Sequence, residues 1–279
     1  SPESPSMTKF SKLGLTLTLA AMLCACSTSP TGRSQLMLVS PYQAINASKA
    51  AYTQMLAPLK DEGKVDTDAA VVKRVQTIAG RIVYQAIERF PNTRNWDWSI
   101  SVIDDPETVN AWCMAGGRMA IYTGLIEKLN PTDDELAQVI GHEVSHALAN
   151  HTAERMSVAM ATQLGMVALS VATENSEYRN LALTGAPLAA AVAITLPNSR
   201  TGELEADRLG MELAARAGYN PDAAATLWQK MGANSKGAPP EFLSTHPAPG
   251  NRQQRLANLA PQMQQFYNPN APTRVYSFK

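Results

Sequence analysis

The 279-residue sequence predicts an α+β fold, mostly helical with a small mixed β-sheet. Three stretches carry that expectation. Asp68 to Arg89 repeats Val71, Val75, Ile78, Ile82, Val83 and Ala86 at helical spacing, giving one apolar face that must pack on a core. Trp96, Trp98, Ile100 and Val102 alternate with polar residues, the period of a half-buried strand. Pro131 to Glu135 then opens a second helix: Thr132 and Glu135 have capping-box spacing, and Leu136, Ala137, Val139 and Ile140 follow as its buried stripe.

With 45% hydrophobic residues the chain can build one good core, and one domain is expected. Lys plus Arg and Asp plus Glu both total 24, without a long run of either sign, so no nucleic-acid partner is expected. The oligomeric state is not legible.

Taken in order, residues 1–26 read as a leader and lipoprotein signal peptide. Residues 1–6 carry no reading. From Met7, Lys9 and Lys12 form a basic start, and Leu13 to Leu23 is an apolar run of signal-peptide length. Those roughly 11 residues fall short of the ~20 a membrane span needs. Leu23-Cys24-Ala25-Cys26 looks like a bacterial lipobox, so cleavage after Ala25 makes Cys26 the lipid-modified first residue. Ser27 next to it resembles lipoproteins sorted to the outer membrane. The expected place is therefore the periplasm, with the outer membrane as a partner through the lipid anchor. Residues 27–41, rich in Ser, Thr, Pro and Gly, read as a tether. Residues 42–265 are the expected domain and 266–279 a C-terminal tail. Cys113, with no internal partner left after lipidation of Cys26, reads as a buried core thiol.

Thr108 to Thr123 reads as two strands around Gly116-Gly117. From the residues alone this is a hairpin, or else an edge strand that pairs with an extended substrate.

The chemistry starts at His142-Glu143-Val144-Ser145-His146. On a helix, residues four apart share a face, so His142 and His146 can offer two imidazole nitrogens to one metal ion. Glu143 lies off that face and can take a proton from an activated water, the division of labour of a zinc peptidase. His151, five beyond His146, is off the ligand face by the helical period and reads as a surface histidine or a support. Two apolar stretches, 156–173 and 181–196, read as helices that cover the core or rim a cleft, with contact to a membrane left open. Glu203 and Asp207, four apart on the next helix, share a face. One can bind the metal while the other accepts a ligand imidazole's free N–H. Two histidines and one carboxylate leave a coordination position open, as catalytic zinc requires. His246, alone among prolines, reads as a solvated loop residue from sequence alone.

His142-Glu143-Val144-Ser145-His146 with Glu203-Leu204-Glu205-Ala206-Asp207 resembles the zinc metallopeptidases of the HtpX and CAAX-prenyl-protease type, gluzincins of metallopeptidase family forty-eight. Asn110 to Gly117 resembles that family's cleft strand, with Ala115 where the family usually has Pro. Ser244-Thr245-His246-Pro247, with Arg252 six beyond the histidine, resembles its Thr-His-Pro segment. The resemblance spans residues 42–261. It implies a zincin-like fold with one zinc per chain and Glu203, not Glu205, as third ligand. Asp207 and Arg252 are then supports, and Asn110, Ala111, Gly116 and Gly117 belong to a substrate-binding strand. It further implies that His246 stands at the active-site mouth, as an oxyanion stabiliser or an inhibitory latch. The expected activity is zinc-dependent endoproteolysis of polypeptides, by resemblance misfolded or stalled envelope proteins. The alternative is a chaperone-like assembly factor whose zinc site is kept shut.

Overall fold

The computed structural model of the chain describes residues 25–170, 185–234, 240–247 and 250–279, with only the backbone described for 163–170. The leader through Cys24, the polar spacer Glu174 to Asn180 and the facing ends of the two apolar stretches lie outside the described residues.

The first elements form a hairpin: β1 (Cys26–Thr28) pairs antiparallel with β2 (Ser34–Leu36). This corrects the expected tether. Ser29 and Gln35 are buried, and the Gln35 amide donates to the Ala149 carbonyl (2.7 Å), so polar side chains seat the segment without an apolar pattern to announce it. Helix α1 (Pro41–Asp61) follows, its Ser40 cap and Gln43 closing a capping box. Helix α2 (Ala69–Arg89) starts on Asp68, which accepts from two backbone N–H groups.

Strands β3 (Ser99–Ile103), β4 (Ala111–Met114) and β5 (Arg118–Tyr122) form a mixed sheet of order β3-β5-β4, with β3 parallel and β4 antiparallel to β5. The sheet is buried on both faces, which corrects the half-buried reading of the first strand. Ile100, Val102, Cys113, Met119 and Ile121 meet α2 and α4 (Asp133–Leu148) on one side. Ile103, Trp112, Met114 and Ala120 meet α1 and α6 (Ala186–Ile194) on the other. The polar Ser101 is admitted to that second side because its hydroxyl bonds Tyr52 Oη (3.0 Å). Gly116 and Gly117 both have positive φ (89° and 87°), as their tight turn requires.

The short α3 (Thr123–Leu129) leads to α4, which begins on the predicted Thr132–Glu135 capping box. Helix α5 (His151–Ser170) and α6 cover the second core, and no helix among the described residues is long and apolar enough to cross a membrane. Helices α7 (Arg200–Arg216), α8 (Ala223–Ala233), α9 (Glu241–Thr245) and α10 (Arg252–Met263) complete the domain. The tail runs back along α2, where Tyr276 N–H donates to the Gly80 carbonyl (2.9 Å).

Candidate metal centre

Helices α4 and α7 cross with almost no side chain between them. A Cβ on Gly141 would lie 2.8 Å from the Gly210 carbonyl oxygen, and one on Gly210 would lie 2.7 Å from His142 N. That close approach next to His142 brings the donors of α4 to those of α7.

His142 Nε2 and His146 Nε2 stand 3.0 Å apart. Glu203 closes the triangle, with Oε2 3.1 Å from His142 Nε2 and Oε1 3.0 Å from His146 Nε2. Donors about 2.0–2.1 Å from a tetrahedral zinc lie about 3.3 Å from one another, so these edges are close to those a metal site needs. Glu203 Oε1 is buried and has no hydrogen-bond donor, a costly condition that a cation relieves. The three residues therefore fit zinc. Glu205, two residues from Glu203, lies instead against His151, 2.7 Å from its Nε2.

Electrostatics agrees with that fit. Burial drives the His146 imidazole down to about 3, leaving it an unprotonated donor at neutral pH. Burial acts the same way on His142, but Glu203 and Asp207 outweigh it and push that imidazole up to about 10. A metal cation bound there would compete with the proton on that imidazole. Burial works against the Glu203 charge, yet His246, His142 and His146 hold its carboxyl well below the usual range.

Glu143 stands beside this triangle. Burial opposes its charge, but His246 and then the two metal-facing imidazoles keep it a carboxylate at neutral pH. His246 is buried, not solvated as its sequence alone suggested. Its Nδ1–H donates to the Phe242 carbonyl (2.8 Å), its ring stacks on Phe242 (centroids 4.0 Å apart), and Nε2 lies 2.9 Å from Glu143 Oε1. The segment carrying it is tied back through Asn198, whose side-chain amide donates to the Thr245 carbonyl (3.1 Å). Arg155 donates in turn to Asn198 Oδ1 (2.8 Å). Burial lowers Arg155 to about 10, so it remains a cation near Glu203 and Glu143; nothing in its sequence context signalled it.

Both expected supports converge. Asp207 Oδ1 lies 3.0 Å from His142 Nδ1, and Arg252 donates to Asp207 (2.5 Å) and to Glu203 (3.1 Å). Arg252 also covers the Trp228 ring at 3.6 Å. Cys113 is buried, and burial together with Glu143 raises its thiol well above the usual range, so it is no nucleophile.

The cleft-strand residues divide. Strand β4 is one of the two edges of the three-stranded sheet. Asn110 accepts from Tyr122 N–H (3.1 Å), so by antiparallel alternation Ala111 and Cys113 turn their backbone groups away from β5. Val109, just before, accepts from Phe242 N–H (3.0 Å), which sets this edge beside the His246 segment. Gly116 and Gly117 instead pack on Ile45 and Trp98, whose atoms would lie 2.9 and 2.4 Å from an added Cβ.

Sequence reasoning placed His151 off the ligand face by continuing one helix through it. The chain breaks instead at Asn150 (φ 55°), and the next helix starts on His151, turning that ring back under His146. The Nδ1 atoms of His146 and His151 are 2.7 Å apart. All four histidines of the sequence thus meet in one cluster.

The profile of Peptidase family M48 matches residues 70–260. The chain is similar to "Metalloendopeptidase OMA1, mitochondrial" of Bos taurus, 32% identical over 240 residues that cover 83% of this chain and 45% of that protein. It is also similar to "Beta-barrel assembly-enhancing protease" of Yersinia pestis, 28% identical over 217 residues that cover 76% of this chain and 43% of that protein. The same-named protein of Escherichia coli (strain K12) is 28% identical over 214 residues, 74% of this chain and 42% of that protein. The chain spans less than half the length of each of these relatives.

Proposed function

The chain belongs to peptidase family M48, and from that membership we propose that it is a zinc-dependent endopeptidase. The observation that carries the reading is the convergence of His142 Nε2, His146 Nε2 and a buried Glu203 carboxylate without a donor on Oε1. Zinc held there supplies Lewis acidity that polarises a scissile carbonyl and makes a water acidic. Glu143 takes the proton of the attacking water and returns it to the leaving amine. The outward Ala111 carbonyl and the Cys113 backbone groups hold the substrate as an added strand, while the Ala111 N–H is taken by Asn110 Oδ1 (2.9 Å), which marks the start of that edge. The turn at Gly116 and Gly117 shapes the strand's far end.

His246 acts as the latch. Its Nε2 stands 2.9 Å from the base's own oxygen while its Nδ1 bonds the Phe242 carbonyl, so substrate entry requires this segment to swing away. The substrates are polypeptides, and unfolded or stalled envelope proteins are the proposed class. The leader pattern supports an exported chain, lipid-anchored at Cys26 and facing the periplasm from the outer membrane. Cys26 is exposed, as attachment there requires.

The test is zinc content and cleavage of an unfolded casein by wild type, Glu143→Gln and His246→Ala. Glu143→Gln is expected to keep its zinc and lose at least about 100-fold in rate, the scale of a general base. Unchanged cleavage in that variant sinks the mechanism. His246→Ala is expected to cleave faster, whereas a slower variant would assign that imidazole to oxyanion stabilisation. Zinc uptake without cleavage by wild type and His246→Ala alike would favour the chaperone-like alternative.

A further inference from the structure

Among the buried ionisable groups that the mechanism above leaves unused, Glu205 lies nearest in sequence to a proposed ligand. Glu205 is buried on α7, two residues beyond the third ligand. Its Oε1 accepts from His151 Nε2 (2.7 Å) and from Arg33 Nη2 (3.1 Å). Its Oε2 accepts from the hydroxyls of Ser29 (2.5 Å) and Thr31. Three of those four donors come from the hairpin turn between β1 and β2. The same Arg33 makes a bidentate pair with Glu154 on α5 (2.5 and 2.7 Å), so the turn is fastened to two helices at once.

Proton placement follows from this chain of contacts. A carboxylate only accepts, so His151 must carry its proton on Nε2. In the neutral ring its Nδ1 is then an acceptor, and among the described residues its partner is His146 Nδ1, 2.7 Å away, which must donate. That leaves the lone pair of His146 on Nε2, the nitrogen aimed at His142 and Glu203. Glu205 thereby dictates the tautomer and ring orientation of a metal ligand two residues removed from it in the contact chain.

We propose that the 26–36 hairpin is a positioning clamp on the metal centre: Ser29, Thr31 and Arg33 hold Glu205, Glu205 holds His151, and His151 presents His146 to the metal. The inference rests on the zinc-peptidase reading. None of these hairpin residues touches the reacting atoms; the path from Ser29, Thr31 and Arg33 to the metal runs through Glu205 and His151. If the chain is lipid-anchored at Cys26, the clamp begins at the anchored residue itself, so the orientation of the segment nearest the membrane is coupled to the ligand set.

The experiment measures the zinc dissociation constant by chelator competition, the melting temperature of the zinc-free protein, and KM and kcat on an unstructured peptide. It compares wild type, His151→Phe and the double variant Ser29→Ala/Thr31→Ala. His151→Phe is expected to weaken zinc binding by about 10–100-fold and the hairpin pair by about 10-fold. At saturating zinc both lower kcat with KM unchanged. Zinc constants within twofold of wild type in both variants overturn the clamp. A loss in His151→Phe with none in the hairpin pair overturns the hairpin's part in it. Should His151→Phe fail to melt cooperatively, the hairpin pair decides alone, because it deletes two hydroxyls and leaves the β1–β2 pairing in place. A wild type that takes up no zinc overturns the peptidase reading instead.

Discussion

The two metal-facing imidazoles are braced from opposite ends of the chain and by different chemistry. His142 leans on Asp207, which is gripped by Arg252, itself laid over Trp228 at 3.6 Å. That brace is a buried ion pair built on α7, α8 and α10, inside the stretch 70–260 that the family profile matches. His146 leans on His151 and Glu205, and the brace ends on two hydroxyls and Arg33 from a turn that lies outside that stretch. A buried charge pair cannot lose one member without leaving the other unpaired in the core. Deleting the two hydroxyls of the turn leaves Glu205 still paired with His151 and Arg33, so no charge is stranded and the cost is smaller. The first brace is therefore committed to the stability of the fold, while the second can adjust a ligand and leave the fold standing.

Cutting the first brace should accordingly produce the largest effect. Arg252→Met keeps the contact with Trp228 but strands Asp207 and Glu203, and is expected to cost the zinc-free protein about 3–5 kcal/mol in urea unfolding. If Ser29→Ala/Thr31→Ala costs as much, the contrast between the braces collapses. Next in size is Gly210→Ala, which affects both braces because it acts where the helices cross. Its methyl would meet His142 N at 2.7 Å and His142 Cα at 2.9 Å, all backbone, so α4 and α7 must part. Overpacking of this kind costs about 1–3 kcal/mol. Zinc affinity should fall along with it, since the His142–Glu203 separation widens. A variant with unchanged zinc affinity would show that the crossing does not set the ligand spacing.

The same contrast explains what the sequence could disclose. His142, Glu143 and His146 were legible because one helix fixes their geometry through its period, and Thr132 with Glu135 marked where that helix starts. Glu203 and Asp207 shared a face by the same period, but which one faces the metal depends on the α4–α7 crossing, and the residues alone left both open. Gly141 and Gly210 make that crossing, yet a glycine in a helix gives no hint of its partner some seventy residues away. The helical period leaves His151 either a surface residue or a support; a left-handed Asn150, which resets the phase between it and His146, decides for the support. Ser29 to Gln35 has the composition of a linker. Hydroxyls, one Arg and one Gln carry no periodicity, and the carboxylates that hold them lie more than a hundred residues on. Of the fold, the helices and the hairpin of the sheet were legible. The burial of both sheet faces was not, because α1 and α6 cover the second face from distant parts of the chain.

The smallest effect expected is a pH signature of the second brace. Burial alone would raise the Glu205 carboxyl, but His151, Ser29 and Thr31 more than offset it and hold the group far below its ordinary value of 4.5. A carboxyl whose folded value is depressed contributes stability that is fully present above the unfolded value and is lost as pH falls toward the folded one. Wild type should therefore exceed Glu205→Gln in stability at neutral pH by about 1 kcal/mol, the charge-assisted part of bonds that Gln cannot reproduce. That margin should shrink as pH drops from about 5 to about 3. Glu203, Asp207 and Glu143 are also depressed but are common to both proteins, so the difference between the two melting curves isolates Glu205. A margin that stays constant across this range would mean that the Glu205 charge is not what the hairpin turn holds. The clamp would then have to act through shape alone.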